Sequence, residues 1–288
     1  MGRIRADEMA ALIRQQLAAY GGSDGIEELG RVVEVGDGVF RVAGLDGCLM
    51  GEMLELGEGQ VGLALDLEED AIGGVVLGDG LGLAEGAEVR RSRQVLSVPV
   101  GRSLLGRIVD PLGQPIDGKG PIRADATRLV DAPAPGLVDR QPVRVALRTG
   151  IKCIDSLIPV GRGQRQLIIG DRRTGKTTLA TDAIINQARE GVICVYVAIG
   201  QKESTVAGLV EHLRDQRALE HSVVVVATAA APAALRFLAP YVGTAIAEFF
   251  MHNTWDCHPD RRPRLDQGLP IAKPLAEGGI GPGHPGGP

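Results

Sequence analysis

The sequence predicts a mixed chain: a small N-terminal β-barrel, an incomplete parallel α/β domain, and a disordered C-terminal tail. Three observations predict it. Between residues 28 and 94, short apolar runs are each ended by glycine, the texture of closely spaced strands and tight turns. From 95 to 251, apolar runs alternate with amphipathic stretches, as strands do when helices join them across a parallel sheet. From 252 to 288, seven prolines and seven glycines leave no period. A segment so rich in breakers buries too little apolar surface to offset its ordering entropy.

Composition narrows the field. The 288 residues suffice for one large domain or two small ones. Only 3% are aromatic against 44% hydrophobic, so the core must be built from Val, Leu, Ile and Ala. The net charge is −5 and no basic block occurs, which argues against a nucleic-acid binder. The four cysteines, Cys48, Cys153, Cys194 and Cys257, form no C-x-x-C pair. Zinc and dithiol redox motifs are therefore unsupported, and reduced thiols of a cytosolic protein are expected. His212, His221, His252, His258 and His284 have no ligand spacing and are expected at the surface or in structural roles.

Residues 1–22 hold one short helix over 6–20, with Met9, Leu12, Ile13, Leu17 and Tyr20 on one face and Gly21-Gly22 as its stop. The first 16 residues lack the apolar core of a signal peptide. The barrel, 28–94, opens with valines around Gly36-Asp37-Gly38 and continues through runs at Leu54, Val61–Leu65 and Ile72–Leu77. A loop-rich segment from Ser97 leads to a strand at Gln166–Ile169, a helix to about Arg189, and a buried strand at Val192–Ile199. A helix at about Ser204–Gln216, a strand at Val223–Ala227 and a helix from about Pro232 to Met251 follow. The apolar stretch 223–251 is broken by Arg236 and Glu248 and punctuated by Pro232 and Pro240, so it is expected to be a buried strand and helix rather than a membrane span.

Gly170-Asp171-Arg172-Arg173-Thr174-Gly175-Lys176-Thr177 fits G-x-x-x-x-G-K-[ST] at every fixed position. Two glycines allow backbone angles closed to other residues, so the loop can turn its N–H groups inward as an anion nest. The following helix adds the positive end of its dipole. Lys176 is placed to reach terminal phosphates, and Thr177 offers a hydroxyl to Mg²⁺. An apolar stretch precedes the motif and an amphipathic helix follows it, the context of a P-loop (RecA-like) domain binding ATP through Gly170 to Thr178. Two further parts of a working NTPase, an acid for Mg²⁺ and a group that activates water, are not evident. Where a carboxylate could act after the strand Val192–Ile199, the chain reads Gly200-Gln201-Lys202, and an amide cannot take a proton from water at neutral pH. Binding without hydrolysis is expected.

The residues ALRTGIKCIDSLIPVGRGQRQLIIGDRRTGKTTLATDAIINQ closely resemble the alpha subunit of the F-type, proton-translocating ATP synthase. So do GRVVEVGDGVFRVAGL, VPVGRSLLGRIVDPLGQPIDGKG and VYVAIGQKESTVA, from about residue 6 to 251. The catalytic beta subunit and the flagellar and secretion ATPases carry glutamate where Gln201 stands. The resemblance implies a non-catalytic site for Mg-ATP over Gly170–Thr178 marked by Gln201, and a crown barrel at 28–94. It implies a helix at 6–20 that meets the delta subunit, and partnership with beta and gamma in an alpha/beta hetero-hexamer. It implies a peripheral place on the cytoplasmic face of the inner membrane. The alternatives are an autonomous hexameric P-loop ATPase of the secretion or Rho kind, for which glutamate at 201 would speak, and a non-functional fragment.

The chain departs from the family at Arg173, usually Gln, and at Glu203, usually Arg. After Met251 the family continues with a strand ending in Asp-Asp and more sheet, which this chain is expected to lack. His258 to Arg262 can be encoded CAT CCT GAT CGT CGA, which read one base later gives Ile-Leu-Ile-Val and an acid. The tail is thus expected to be an out-of-frame reading of the family sequence.

Overall fold

The computed structural model describes residues 28–57, 59–78, 80, 82–132, 142–171, 173–253 and 268–273. The predicted helix at 6–20, Arg172, and most of the tail lie outside the described residues.

Six strands close the predicted barrel: β1 (Leu29–Gly36), β2 (Val39–Ala43), β3 (Glu52–Glu55), β4 (Val61–Leu67), β5 (Ile72–Val76) and β6 (Glu88–Val95), in the order β1-β2-β5-β4-β3-β6. The first hairpin turns on Asp37 and Gly38 with φ of 50° and 78°. Two successive left-handed residues make the turn whose twist suits two antiparallel strands, and Asp-Gly is a preferred pair for it. The barrel is filled by Val32, Phe40, Val42, Leu54, Ile72 and Val89, all buried. Phe40 lies across the backbone of β4 and β5: a Cβ at Gly74 would stand 2.4 Å from its ring, and one at Gly62 2.5 Å. Glycine in those two strands is the room the single large side chain needs.

Among the described residues of this small barrel, one charged side chain is buried. Glu52, fully buried, accepts from the Arg91 Nε and Nη2 at 3.0 Å each, and from the backbone N–H of Leu49 and Arg93 at 2.9 Å each. Arg91 also donates to Glu28 at 2.9 Å. Burial pushes the Glu52 carboxyl up, and the guanidinium and two amides more than reverse it, holding it below the usual range.

β7 (Ser97–Val100) pairs antiparallel with β9 (Ala126–Leu129). Between them β8 (Ile108–Val109) joins the main sheet. Two-residue strands β10 (Ala146–Leu147) and β11 (Val160–Gly161) bracket a short helix, α1 (Lys152–Leu157). Then come α2 (Lys176–Glu190), β12 (Ile193–Gln201), α3 (Glu203–Asp215), β13 (Ser222–Thr228), α4 (Ala233–Asn253) and β14 (Gly268–Lys273). The sheet is parallel throughout, in the order β14-β12-β13-β8. One core lies between it and α4, with Val195, Val197, Val223, Val225, Val242 and Ile246. A second lies under α2 and α3, with Tyr196, Ile184, Leu209 and Leu213. α4 is long and apolar enough to cross a membrane by length and composition. In this fold it packs on β12, β13 and β14, as the buried strand-and-helix reading expected.

Two elements differ from expectation. Gln166–Ile169 forms no strand: residues 164–170 belong to no sheet, and Leu167 and Ile169 are 82% and 85% exposed. The apolar run has strand character, but β12 is flanked by β13 and β14, and 166–169 joins neither edge of that sheet. A strand needs a partner ladder as well as apolar sequence. Conversely, six residues of the expected disordered tail are a strand. β14 pairs in parallel with β12, from Ile193↔Gly268 to Ala198↔Lys273. It sits at the sheet edge, where Pro270, which has no N–H to give, is tolerated.

Candidate nucleotide-phosphate site

The loop begins at Gly170 and ends where α2 begins. Gly175 caps α2 with φ 90° and ψ 10°, a left-handed conformation that a side chain would strain. Leu179 N–H donates back to Gly175 O at 3.0 Å, closing the first turn. No side chain caps this end, and the first turn carries no acid. Its positive pole is therefore uncompensated by the helix itself, the condition in which a helix N-terminus attracts an anion. Arg173 is also left-handed, with φ 62°. Left-handed backbone on both sides of Thr174 belongs to the class of conformations that gather amides into an anion-binding hollow.

The loop is at present closed on itself. The Thr174 hydroxyl donates to Asp171 O at 2.8 Å. The Lys176 ammonium donates to Asp171 O at 2.6 Å and also to Gly170 O. These carbonyls stand in for the phosphate oxygens a lysine in this position can grip. Thr177 and Lys176 are half-buried, whereas Gly170, Asp171, Arg173, Thr174 and Thr178 are exposed. The structure thus brings Gly170, Asp171, Thr174 and Lys176 into mutual contact beside the Gly175 cap.

α2 is fixed from behind. Asn186 Nδ2 donates to Thr149 O at 3.0 Å and Gln187 Nε2 to Arg148 O at 2.8 Å. Asn186 leaves no space at Gly150: a Cβ there would lie 2.2 Å from its Nδ2. Asp155, in the first turn of α1, ties the preceding turn to that helix. It accepts from the Thr149 N–H and hydroxyl at 3.0 and 2.6 Å and from Gly150 N–H at 2.9 Å. The Thr149 hydrogen bonds hold its carboxyl below the ordinary value. His221 Nε2 lies 3.2 Å from Ile184 O, a structural role of the expected kind. These anchors carried no sequence motif.

Gln201 is not drawn to the loop. It ends β12, is buried, and donates from Nε2 to Tyr196 Oη at 3.3 Å. The strand register shifts between Ile199 and Gln201, where Gly200 has φ 65°. Asp110 follows β8 at the carboxyl ends of the sheet strands, but its Oδ1 accepts from Leu112 and Gln114 amides at 2.9 and 2.7 Å. Burial raises its pKa. Among the described residues no cluster of three or more His, Cys, Asp or Glu is arranged to hold a metal.

The loop fits a bound polyphosphate on its own terms: uncapped helix amides, no acid in the first turn, and an ammonium already bonded to oxygens. Two family models match the chain. The ATP synthase alpha/beta family, beta-barrel domain, matches residues 25–93, and the ATP synthase alpha/beta family, nucleotide-binding domain, matches residues 150–257. The first spans the closed barrel and the second contains the loop, α2, β12 and β13.

Proposed function

We propose, for a chain that belongs to the ATP synthase alpha/beta family, that it is the non-catalytic alpha-type subunit of an F-type head. The coarser statement stands on the family alone: this is an ATP-binding subunit of the ATP synthase kind of ATPase. The alpha reading is carried by one observation. The group that ends β12 is an amide, Gln201, turned to Tyr196 and unable to take a proton from an attacking water. The backbone of Gly170–Gly175, with the Lys176 ammonium, would hold the phosphates, flanked by Asp171, Arg172, Arg173, Thr174 and Thr178, and the Thr177 hydroxyl would face Mg²⁺. When bound, that ion neutralises phosphate charge. Gly175 positions the helix amides, and Lys176 must leave the Gly170 and Asp171 carbonyls to reach the phosphates.

In this reading the partners are beta, gamma and delta subunits, and the protein sits peripherally at the cytoplasmic face of the inner membrane. ATP hydrolysis belongs to the beta sites. The test is nucleotide titration with turnover assay on the purified chain. Mg-ATP should raise the melting temperature and turnover should be absent, and Lys176→Ala should weaken binding about tenfold to a hundredfold, the loss of one charge-assisted contact of about 1.5–3 kcal/mol. Sustained hydrolysis that Lys176→Ala abolishes would sink the non-catalytic assignment while leaving the nucleotide site in place.

A further inference from the structure

A cavity of about 750 Å³ opens at the carboxyl ends of β8 and β13. Ligands of open α/β sheets settle outside the carboxyl ends of the strands, where successive connections part to opposite faces. Here α3 leaves β12 to cover one face and α4 leaves β13 to cover the other. The cavity is lined from the beginnings of both helices, and no residue of the phosphate loop, 170–178, lines it.

α3 gives it a whole stripe. Glu203, Val206, Ala207, Val210, Glu211 and Arg214 recur at the spacing of one helical face. Val206, Val210 and, from β13, Val226 are buried and make an apolar floor continuous with the core under α2 and α3. One end is acidic. Val109 of β8 is set against Val225, so Asp110 leaves the ladder beside Val226. Glu203 opens α3 at that same end of the sheet. Arg214 stands about 16 Å further along the helix axis and leaves the acidic end uncompensated. Glu203 offsets the positive pole of its own helix. Asp110 has no such pole to answer: its Oδ1 takes two amides of its own turn, and burial still lifts its pKa. A cation beside it would relieve that desolvation.

We propose that this cavity binds a small organic cation, an ammonium or guanidinium seated at Asp110 and Glu203 with an apolar body over Val206, Val210 and Val226. The volume falls within the roughly 300–1,000 Å³ of small-molecule sites, and an apolar lining with a few convergent polar groups is their usual make-up. The carboxylates repel an anion, and an uncharged apolar molecule would bury them without a partner. The inference goes beyond the proposed subunit role, because it needs neither nucleotide nor a second kind of chain.

Titration of the full chain with 2-phenylethylamine tests it, followed by amide NMR and calorimetry beside the uncharged 2-phenylethanol and the anionic 3-phenylpropanoate. The amine should bind saturably and shift amides of α3 and of 110–112, with the alcohol about tenfold weaker or worse and the acid weaker still. Asp110→Asn should cost the amine about tenfold, while its carbonyl keeps the Leu112 and Gln114 amides and so the turn. Ala207→Trp, at an exposed position, should fill the cavity and abolish binding with circular dichroism unchanged. Mg-ATP should raise the melting temperature of Asp110→Asn as much as that of the native chain, which separates this cavity from the phosphate loop. No saturable binding of the amine overturns the proposal. So does an alcohol that binds as well as the amine, or amine binding indifferent to Ala207→Trp.

Discussion

Lys176 and Glu52 are both held by donors and acceptors of their own neighbourhood, and they differ in what release would cost. The Lys176 ammonium is half-buried and sits on loop carbonyls, so phosphate can replace them. Glu52 has no water to fall back on. Among the described residues, Glu52→Gln would leave the Arg91 guanidinium with the half-buried Glu28 as its remaining charged partner. We expect a loss of about 3 kcal/mol, at the lower end for a broken buried pair because Glu28 remains. Urea unfolding of the barrel signal measures it. Asp117 supplies a pH test. Arg107 hydrogen bonds at 2.7 and 2.9 Å hold its carboxyl well below the usual range. Its folded pKa is depressed, so the stabilisation is complete above the unfolded value near 4 and is lost as pH falls through the folded one. Between pH 5 and 2 the native chain should lose more stability than Asp117→Asn, read as melting temperature against pH. The sequence signalled the loop residues because their spacing is the motif. It gave no sign of Glu52–Arg91 or Arg107–Asp117, since pairing across 39 or 10 residues leaves no local pattern.

Elements were legible where period and punctuation agreed. The barrel was expected over 28–94 and its strands run from Leu29 to Val95. The helix after the loop was expected to end near Arg189 and ends at Glu190. The strands around Val195 and Val225 formed because all-apolar, β-branched runs are what a strand covered on both faces requires. Gln166–Ile169 has the same composition and failed. Strand formation is a property of two segments, and composition describes one. β14 failed in the other direction: Gly268-Leu269-Pro270-Ile271-Ala272-Lys273 is poor strand sequence, recruited by the open edge of β12. Ending the chain after Asn253 would uncover that edge. We expect such a variant to lose stability and to aggregate more readily at rising concentration, measured by light scattering during a thermal ramp, because an unprotected parallel edge invites pairing between chains.

At the scale of the whole molecule, the barrel and the sheet domain are tied by apolar contact rather than by a linker alone. Leu63 and Leu77 of the barrel join the core that also holds Val98, Val109 and Leu238. Arg128 of β9 donates to Glu248 of α4 at 2.6 Å, bracing the segment after the barrel against the longest helix. The two family matches fall on the two bodies this core unites. β12 lies between β13 and β14, so one of its neighbours is made long after it. At about 5–20 residues per second, a ribosome takes roughly 4–14 s to travel from Gln201 to Lys273. For that interval the nascent chain has a finished central strand and nothing to lay along one side of it, and a chaperone that holds short extended peptides would find its best-timed client there.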